Sequence, residues 1–131
     1  MTKSLYLLLS VMLIAVMALT ACGGGQAGQP EATATMPAGD PAKGQVLFQT
    51  SCSACHGPEG QGIPGLGKDL ATSEFVAGKS DAELVEFIEQ GRPSGDPLNT
   101  TGIAMPPKGG NSSLSDQDLQ DIVAYIRTLQ K

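Results

Sequence analysis

Three segments of the chain carry apolar residues at the three- and four-residue spacing that is typical of amphipathic helices. The first segment opens at Asp40, a capping residue that is followed by a proline suited to the first helical position. The second opens at Ser80 and stops at Gly91, and the third opens at Ser115. The apolar positions of the three segments are Ala42, Val46 and Leu47, then Leu84, Val85, Phe87 and Ile88, and finally Leu119, Ile122, Val123, Ile126 and Leu129.

The segments between these helices contain no convincing strand. No part of the chain alternates apolar and polar residues at period two, and residues 57–72 and 91–111 are rich in Gly and Pro. Long loops in a small domain usually wrap around an object, and a chain with no Trp and three Phe has few large side chains for its core. The pattern therefore predicts an all-α domain of three main helices at residues 40–131, with something other than side chains at its centre.

The N-terminal part has the layout of an export signal. Lys3 is followed by an apolar run from Leu5 to Ala21 that ends in small residues, which predicts a signal peptide at residues 1–21. The run is also close to the shortest length that spans a bilayer, so a transmembrane anchor is the alternative.

The end of this run favours a lipoprotein. Leu19-Thr20-Ala21-Cys22 resembles the lipobox of bacterial lipoproteins, in which the cysteine is acylated and becomes the first residue after cleavage. Residues 22–39 are rich in Gly, Ala, Thr, Gln and Pro, which indicates a flexible tether. We therefore expect an exported protein that is held by lipid on Cys22 at the outer face of the cytoplasmic membrane, or at the periplasmic side of a membrane.

The charge of the chain excludes one class of partner. The sequence has 8 Lys and Arg against 13 Asp and Glu, a formal net charge of −5. Nucleic-acid binding needs a basic surface that neutralises phosphates, so we expect no nucleic-acid partner.

The chemistry of the chain is indicated by Cys52-Ser53-Ala54-Cys55-His56. The spacing Cys-X-X-Cys-His is the attachment site of a c-type haem, in which two thiols at the end of a helix form thioethers with the porphyrin. The adjacent His56 would then be the proximal ligand of the iron. The motif predicts one covalent haem c.

Other uses of the two cysteines are a disulfide, a thioredoxin-like redox pair and a zinc site. A thioredoxin-like pair belongs with a βαβ pattern, which is absent. A zinc site needs four ligands, and with Cys22 acylated the chain keeps two Cys and one His.

The sixth iron ligand follows by elimination. His56 is the only histidine, so a second imidazole from this chain is excluded. Of the five methionines, three lie in the signal and Met36 lies in the tether, which leaves Met105. Pro106 disfavours helix at Met105 and holds it extended. A core methionine that fills a gap is the alternative.

On these motifs, residues 40–131 resemble a class I monohaem cytochrome c, here of a lipoprotein type. The resemblance implies a haem held by Cys52, Cys55 and His56, with Met105 in a Met-Pro loop. It also implies that the first and last helices cross closely; the residues expected to meet are Gly44 and Phe48 on one side, and Ile122 and Tyr125 on the other.

The family also tends to have Gly-Pro-x-Leu after the haem motif, where a backbone carbonyl accepts the proton of the proximal histidine. This chain has Gly67-Lys68-Asp69-Leu70, so a lysine replaces the proline. The acceptor of the His56 proton is therefore left open, with Pro64 as another source of stiffness.

An iron with His and Met on both sides has no open position, so the predicted function is single-electron transfer rather than catalysis. The expected apolar surroundings of the ring are Phe48, Leu66, Leu70, Phe75, Ile103 and Ile126. The expected partners are redox proteins, namely a quinol-oxidising complex, a terminal oxidase or a reaction centre. This chain would act either as a mobile carrier or as a subunit of such a complex. The alternatives are the haem subunit of a periplasmic oxidoreductase and a haem-based gas sensor. Lysines 43, 68, 79 and 108 form either a steering ring around the haem or ordinary solvated charges.

Overall fold

The computed structural model describes residues 38–131. The predicted signal at residues 1–21, the acylation site Cys22 and all but the last two residues of the tether lie outside the described residues. The helices are α1 (Pro41–Ser51), α2 (Ser53–His56), α3 (Glu74–Ala77), α4 (Asp81–Gln90) and α5 (Asp116–Leu129), with a short 3₁₀ turn at Pro107–Gly110 before α5.

The all-α fold is confirmed, and α1, α4 and α5 are the three predicted main helices. Between residues 38 and 131 the only extended pairing consists of two isolated bridges, Ile63 with Gly67 and Arg92 with Met105. In the same part of the chain, no helix has the length and apolar character needed to cross a bilayer.

The main helices begin where the sequence places their caps. The Asp40 carboxylate accepts the N–H groups of Ala42 and Lys43 at 2.9 and 3.4 Å. At α4, Ser80 and Glu83 form a reciprocal capping box, with the Ser80 N–H donating to the Glu83 carboxylate at 2.8 Å. Ser115 and Asp118 form the same box at α5. These local hydrogen bonds satisfy backbone donors that a helix leaves unpaired at its start.

Helices α1 and α5 cross each other, and their backbones come into close contact at Gly44. A Cβ atom at Gly44 would lie only 1.8 Å from the carbonyl oxygen of Asp121, so any larger residue would force the two helices apart. Phe48 and Tyr125 pack next to this crossing with ring centroids 5.3 Å apart, and Ile122 is fully buried. The crossing expected from the family resemblance is therefore present.

A buried carboxylate fastens the start of α1 to α5. Asp121 is 3% exposed, and its Oδ1 accepts the backbone N–H of Asp40 at 2.8 Å and the Gln117 side-chain N–H at 2.9 Å. Two donors on one buried carboxylate offset much of the cost of its desolvation.

The core lies between α1, α4 and α5. Its fully buried side chains are Phe48, Leu119, Ile122 and Val123. Arg127 of α5 joins α3 and α4 to this core, because its guanidinium donates to Asp81 and to the carbonyl of Val76, each at 2.8 Å, and to the carbonyl of Lys79. Leu47, Cys52, Leu70, Phe75, Phe87, Met105 and Leu129 are partly buried and pack against the same core, so the core continues into the candidate site.

Candidate functional site

The Cys-X-X-Cys-His motif occupies a break between two helices. Helix α1 ends at Ser51, Cys52 has φ −120° and ψ −32°, and α2 begins at Ser53. The Cys52 N–H donates to the carbonyl of Phe48 at 2.8 Å, and the Cys52 carbonyl accepts the His56 N–H at 3.0 Å. The break therefore keeps Cys52 bonded to both helices and brings the three motif residues into one turn of chain.

The two motif cysteines do not form a disulfide with each other. Burial, with a smaller effect of the neighbouring Cys55, raises the pKa of the Cys52 thiol to about 11. A reactive redox thiol needs a lowered pKa, because the thiolate is the nucleophile. The surroundings of Cys52 therefore argue against a thioredoxin-like pair.

His56 has a defined hydrogen-bond partner on its ring. Its Nδ1 lies 2.8 Å from the carbonyl oxygen of Lys68. A carbonyl only accepts, so this contact requires the proton on Nδ1 and leaves the lone pair of Nε2 available to a metal. The acceptor that the sequence left open is thus the Lys68 carbonyl, which does not depend on the missing proline.

A tight turn before Lys68 supplies the stiffness. Ile63 and Gly67 pair through both backbone groups, at 2.9 and 3.1 Å, and enclose Pro64 in the turn. Gly67 itself lies against α2: a Cβ atom there would be 2.2 Å from the carbonyl oxygen of Cys55. The absence of a side chain at Gly67 therefore lets the next residue reach the His56 ring.

Asp69 stabilises the turn that follows. Its carboxylate accepts the Thr72 hydroxyl at 2.8 Å and the N–H groups of Ala71 and Thr72 at 2.7 and 3.1 Å. The hydrogen bond from the Thr72 hydroxyl is the main cause of the lowered pKa of Asp69. Hydrogen bonds within its own turn therefore stabilise the ionised form of Asp69.

Met105 is extended, as Pro106 predicts, and is held by Arg92. The N–H of each residue donates to the carbonyl of the other, both at 2.8 Å. Within the loop that joins them, the Asn99 side chain donates to the carbonyls of Pro93 and Ile103 at 3.1 and 2.8 Å. Two backbone bonds and this amide fix the segment that carries the thioether.

The chain after Met105 docks against α1. Lys108 adopts φ 53°, an uncommon conformation for a residue with a side chain, and its ammonium donates to the carbonyl of Leu114 at 2.9 Å. The side-chain amide of Asn111 donates to the Ser51 hydroxyl at 3.1 Å. Met105 is therefore fixed on both sides along the chain.

These residues share one cavity. It has a volume of about 500 Å³, within the range of cofactor sites, and Cys52, Cys55, His56 and Met105 all line it. The six apolar residues that the sequence assigns to the haem surroundings line it as well: Phe48, Leu66, Leu70, Phe75, Ile103 and Ile126.

The four lysines do not form a ring around this cavity. Of the four, Lys68 is the one that lines the cavity, and its ammonium donates to the Thr100 hydroxyl. Lys79 pairs with Glu83 at 3.4 Å, and Lys108 lies 3.8 Å from Glu89. For Lys79 and Lys108, these nearby carboxylates favour the alternative of ordinary solvated charges over a steering ring.

Two residues of the site escaped the sequence patterns. Arg92 and Asn99 both line the cavity and both hold the Met105 segment. Arg92 carried a weak signal, since it is a lone cation directly after the glycine that ends α4. Asn99 had none, because its contacts are made within an irregular loop.

The comparisons with known proteins agree with this geometry. A family model described as Cytochrome c matches residues 41–130. Cytochrome c-554(547) of Halothiobacillus neapolitanus is 34% identical over 99 residues, which cover 71% of this chain and 100% of that protein. No solved structure gives a significant match.

Two further relatives are subunits of larger enzymes. The cbb3-type cytochrome c oxidase subunit CcoP of Azospirillum brasilense is 33% identical over 92 residues, 69% of this chain and 31% of that subunit. The cytochrome c subunit of a quinone alcohol dehydrogenase from Gluconacetobacter polyoxogenes is 30% identical over 96 residues, 73% of this chain and 19% of that subunit. The chain thus spans less than a third of either enzyme subunit.

Proposed function

Because the chain belongs to the cytochrome c family, it carries covalently attached haem c, and we propose that it transfers single electrons through one haem with His56 and Met105 as axial ligands. The observation that carries the proposal is the single cavity lined by both motif cysteines, the histidine and the methionine. When bound, the haem iron supplies a one-electron redox couple.

Cys52 and Cys55 are the attachment residues. Neither is in a disulfide, both line the cavity, and the helix break at Cys52 lies beside the turn of chain that contains both. Their thioether bonds would fix the position of the porphyrin relative to His56, which directly follows Cys55.

His56 and Met105 close both axial positions. His56 has the tautomer that a metal-bound imidazole needs, because Nδ1–H is bonded to the Lys68 carbonyl. The paired backbone groups of Arg92 and Met105 restrict movement of the backbone that carries the thioether. With both positions filled there is no site for a substrate or for oxygen, and methionine ligation raises the reduction potential.

The two alternative functions differ in what they need from this site. A gas sensor needs Met105 to leave the iron, which the fixed Met105 segment opposes. A haem subunit of an oxidoreductase needs only the same electron transfer, and the similarity to the alcohol dehydrogenase subunit supports it. Both alternatives use the proposed attachment residues.

For location, the proposal is export followed by acylation of Cys22 and a tether over residues 22–39. Leu19-Thr20-Ala21-Cys22 and the composition of the tether support it. The partners are then membrane redox complexes, either a quinol-oxidising complex, a terminal oxidase or a reaction centre. The similarity to an oxidase subunit supports a partner of this class.

The axial assignment is tested by Met105→Ala. We expect the reduction potential to fall by at least about 59 mV, a tenfold change in the one-electron equilibrium. We also expect the reduced variant to bind carbon monoxide, because one axial position opens. The measurements are a redox titration and the optical spectrum under carbon monoxide.

Ile103→Ala is the matched control, since Ile103 lines the same cavity and lies two residues before Met105. It should keep the sulfur–iron absorption of the oxidised protein and should not bind carbon monoxide. If Met105→Ala kept the wild-type potential and spectrum, the sixth ligand would be another group.

A further inference from the structure

The chain from Arg92 to Met105 forms a loop that lies outside the helices. Its two ends pair through their backbone N–H and carbonyl groups, both at 2.8 Å. The Arg92 end is fixed by packing, because its guanidinium carbon lies 4.8 Å from the ring centroid of Phe75 and 4.7 Å from that of Phe87. The position of Met105 therefore depends on the contacts that join the Met105 arm of the loop (residues 103–105) to the Arg92 arm (residues 92–94).

The amide nitrogen of Asn99 makes such a contact. It donates to the carbonyl of Pro93 at 3.1 Å and to the carbonyl of Ile103 at 2.8 Å. Pro93 directly follows Arg92, and Ile103 lies two residues before Met105. One nitrogen thus joins the two arms beside the backbone pair, and both of its hydrogen atoms are used.

The amide oxygen of Asn99 has a different role. It accepts the N–H groups of Thr101 and Gly102 at 3.1 and 3.0 Å, and the Thr101 hydroxyl at 3.0 Å. These three bonds stay within four successive residues, so they shape the turn and do not join the arms. A carboxylate could accept all three, but an ionised carboxylate cannot donate to two carbonyls. The roles of the two halves of the amide can therefore be separated.

The other polar side chains of the loop make different contacts. The Asp96 carboxylate accepts the N–H of Leu98, two residues away, at 2.7 Å. The Thr100 hydroxyl accepts from the Lys68 ammonium, which lies outside the loop. Among the side chains of residues 93–104, all of which the structure describes, Asn99 is the one that bonds to both arms.

Asn99 also lines the cavity that contains His56 and Met105. We propose that Asn99 is a positioning residue: its amide nitrogen ties the Met105 arm to the fixed Arg92 arm, and this keeps the sixth position of the iron closed to small ligands. The inference rests on the function proposed above. It assigns the difference between a closed and an accessible iron to one hydrogen-bond donor.

The test is Asn99→Asp in the holoprotein. Aspartate has the size of asparagine and keeps the three accepted bonds, but it loses the two donated ones. We expect the fraction of reduced protein with Met105 detached from the iron to rise at least about tenfold, which corresponds to about 1.4 kcal/mol. The reduced variant should therefore bind carbon monoxide, and the oxidised variant should lose its sulfur–iron absorption at a lower temperature than the wild type.

Two further variants separate the donor from the added charge. Gln45→Glu adds the same charge at an exposed position of α1 outside the cavity lining, and it should behave as the wild type. Asn99→Ala removes the donors without adding a charge and should bind carbon monoxide at least as readily as Asn99→Asp. If Asn99→Asp does not incorporate haem, Asn99→Ala decides the question by the same measurements.

The double variant Asn99→Asp/Met105→Ala shows whether Asn99 acts through Met105. With the thioether already removed, Asn99→Asp should not change carbon monoxide binding any further. A general loosening of the cavity would instead speed up binding to the same extent with and without Met105.

Carbon monoxide binding and sulfur–iron absorption at the wild-type level in Asn99→Asp would overturn the inference, even if Asn99→Ala opened the iron, because the donor would then not be the cause. Equal acceleration of binding in the presence and absence of Met105 would overturn it as well. Failure of the proposed function gives a different result, since Met105→Ala alone would then keep the wild-type spectrum.

Discussion

At the residue scale, Lys68 shows how a departure from a family pattern is tolerated. The proline expected at this position is replaced, yet the His56 proton still has a backbone acceptor at 2.8 Å. Any residue type supplies a backbone carbonyl at this position. The turn from Ile63 to Gly67 provides the rigidity that a proline ring would otherwise give. What the His56 ring requires at this position is the location of one oxygen atom.

Gly67→Ala tests this requirement. The new Cβ would clash with the Cys55 carbonyl, so we expect a loss of about 1–3 kcal/mol of unfolding free energy. Movement of Lys68 would also weaken the hydrogen bond to His56, make the imidazole less basic and raise the reduction potential. Urea unfolding and a redox titration measure the two effects.

Gly95→Ala is the control, because a Cβ there meets no atom within 4 Å and Gly95 does not adopt a positive φ. It should leave the stability and the potential close to those of the wild type. A Gly67→Ala protein with the wild-type potential would mean that the Lys68 carbonyl does not tune the iron.

Sequence patterns predicted the haem motif and Met105. The chain has few Cys, His and Met residues, and haem attachment requires the spacing Cys-X-X-Cys-His. They did not predict Arg92, whose role depends on where Phe75 and Phe87 lie in space. A residue between two aromatic rings from different elements leaves no periodic trace in the sequence.

At the scale of the elements, the main helices were predictable because their signals are local. Ser80 and Ser115 each lie three residues before the acidic residue that completes the capping box. Helices α2 and α3 have four residues each, too short to show a period, and they exist because of contacts elsewhere in the domain. The 3₁₀ turn with Lys108 at positive φ was hidden for the same reason.

The cap of α4 predicts a dependence on pH. Hydrogen bonds from the backbone and side chain of Ser80, then the charge of Lys79, lower the pKa of Glu83 from 4.5 to about 2. A lowered pKa in the folded state stabilises the protein above the ordinary pKa, and this stabilisation is lost as the pH falls through the folded value. The contribution of Glu83 should thus be complete above about pH 5 and should disappear between about pH 4.5 and 2.

The measurement is urea unfolding of the wild type and Glu83→Gln from pH 7 down to about 2, the lowered pKa of Glu83. The stability difference between them should be constant near neutral pH and shrink in the acid range. Glu86→Gln, an exposed position of the same helix outside the cap, is the control. A difference that does not change with pH would show that the Glu83 charge does not stabilise the helix.

At the scale of the whole molecule, the core and the site form one structure. Phe48 and Ile126 belong to the buried core and also line the cavity, while Leu70, Phe75, Phe87 and Met105 connect the two. The composition indicated this arrangement, since few large side chains are available to fill a centre. The largely apolar lining of the cavity suits a centre that exchanges electrons without binding a substrate.

The proposed position of the molecule at a membrane depends on acylation of Cys22. We predict that Cys22→Ala moves the holoprotein from the membrane fraction to the soluble fraction, because the acyl chains provide the attachment. Fractionation followed by haem staining measures this. Gly24→Ala, a change in the tether that keeps the cysteine, should remain with the membrane.

A Cys22→Ala protein that stays in the membrane fraction would point to the apolar run from Leu5 to Ala21 as the attachment. Mass spectrometry of the wild-type protein gives an independent result, since the acylated form should lack residues 1–21 and carry lipid on Cys22.

The central claim is an iron closed on both sides by His56 and Met105. A redox titration of the purified wild-type protein, followed by its optical spectrum with and without carbon monoxide, tests it most directly. We predict one single-electron transition, a low-spin haem in both states, sulfur–iron absorption in the oxidised protein and no carbon monoxide binding. A high-spin haem, or rapid carbon monoxide binding to the reduced protein, would contradict the claim.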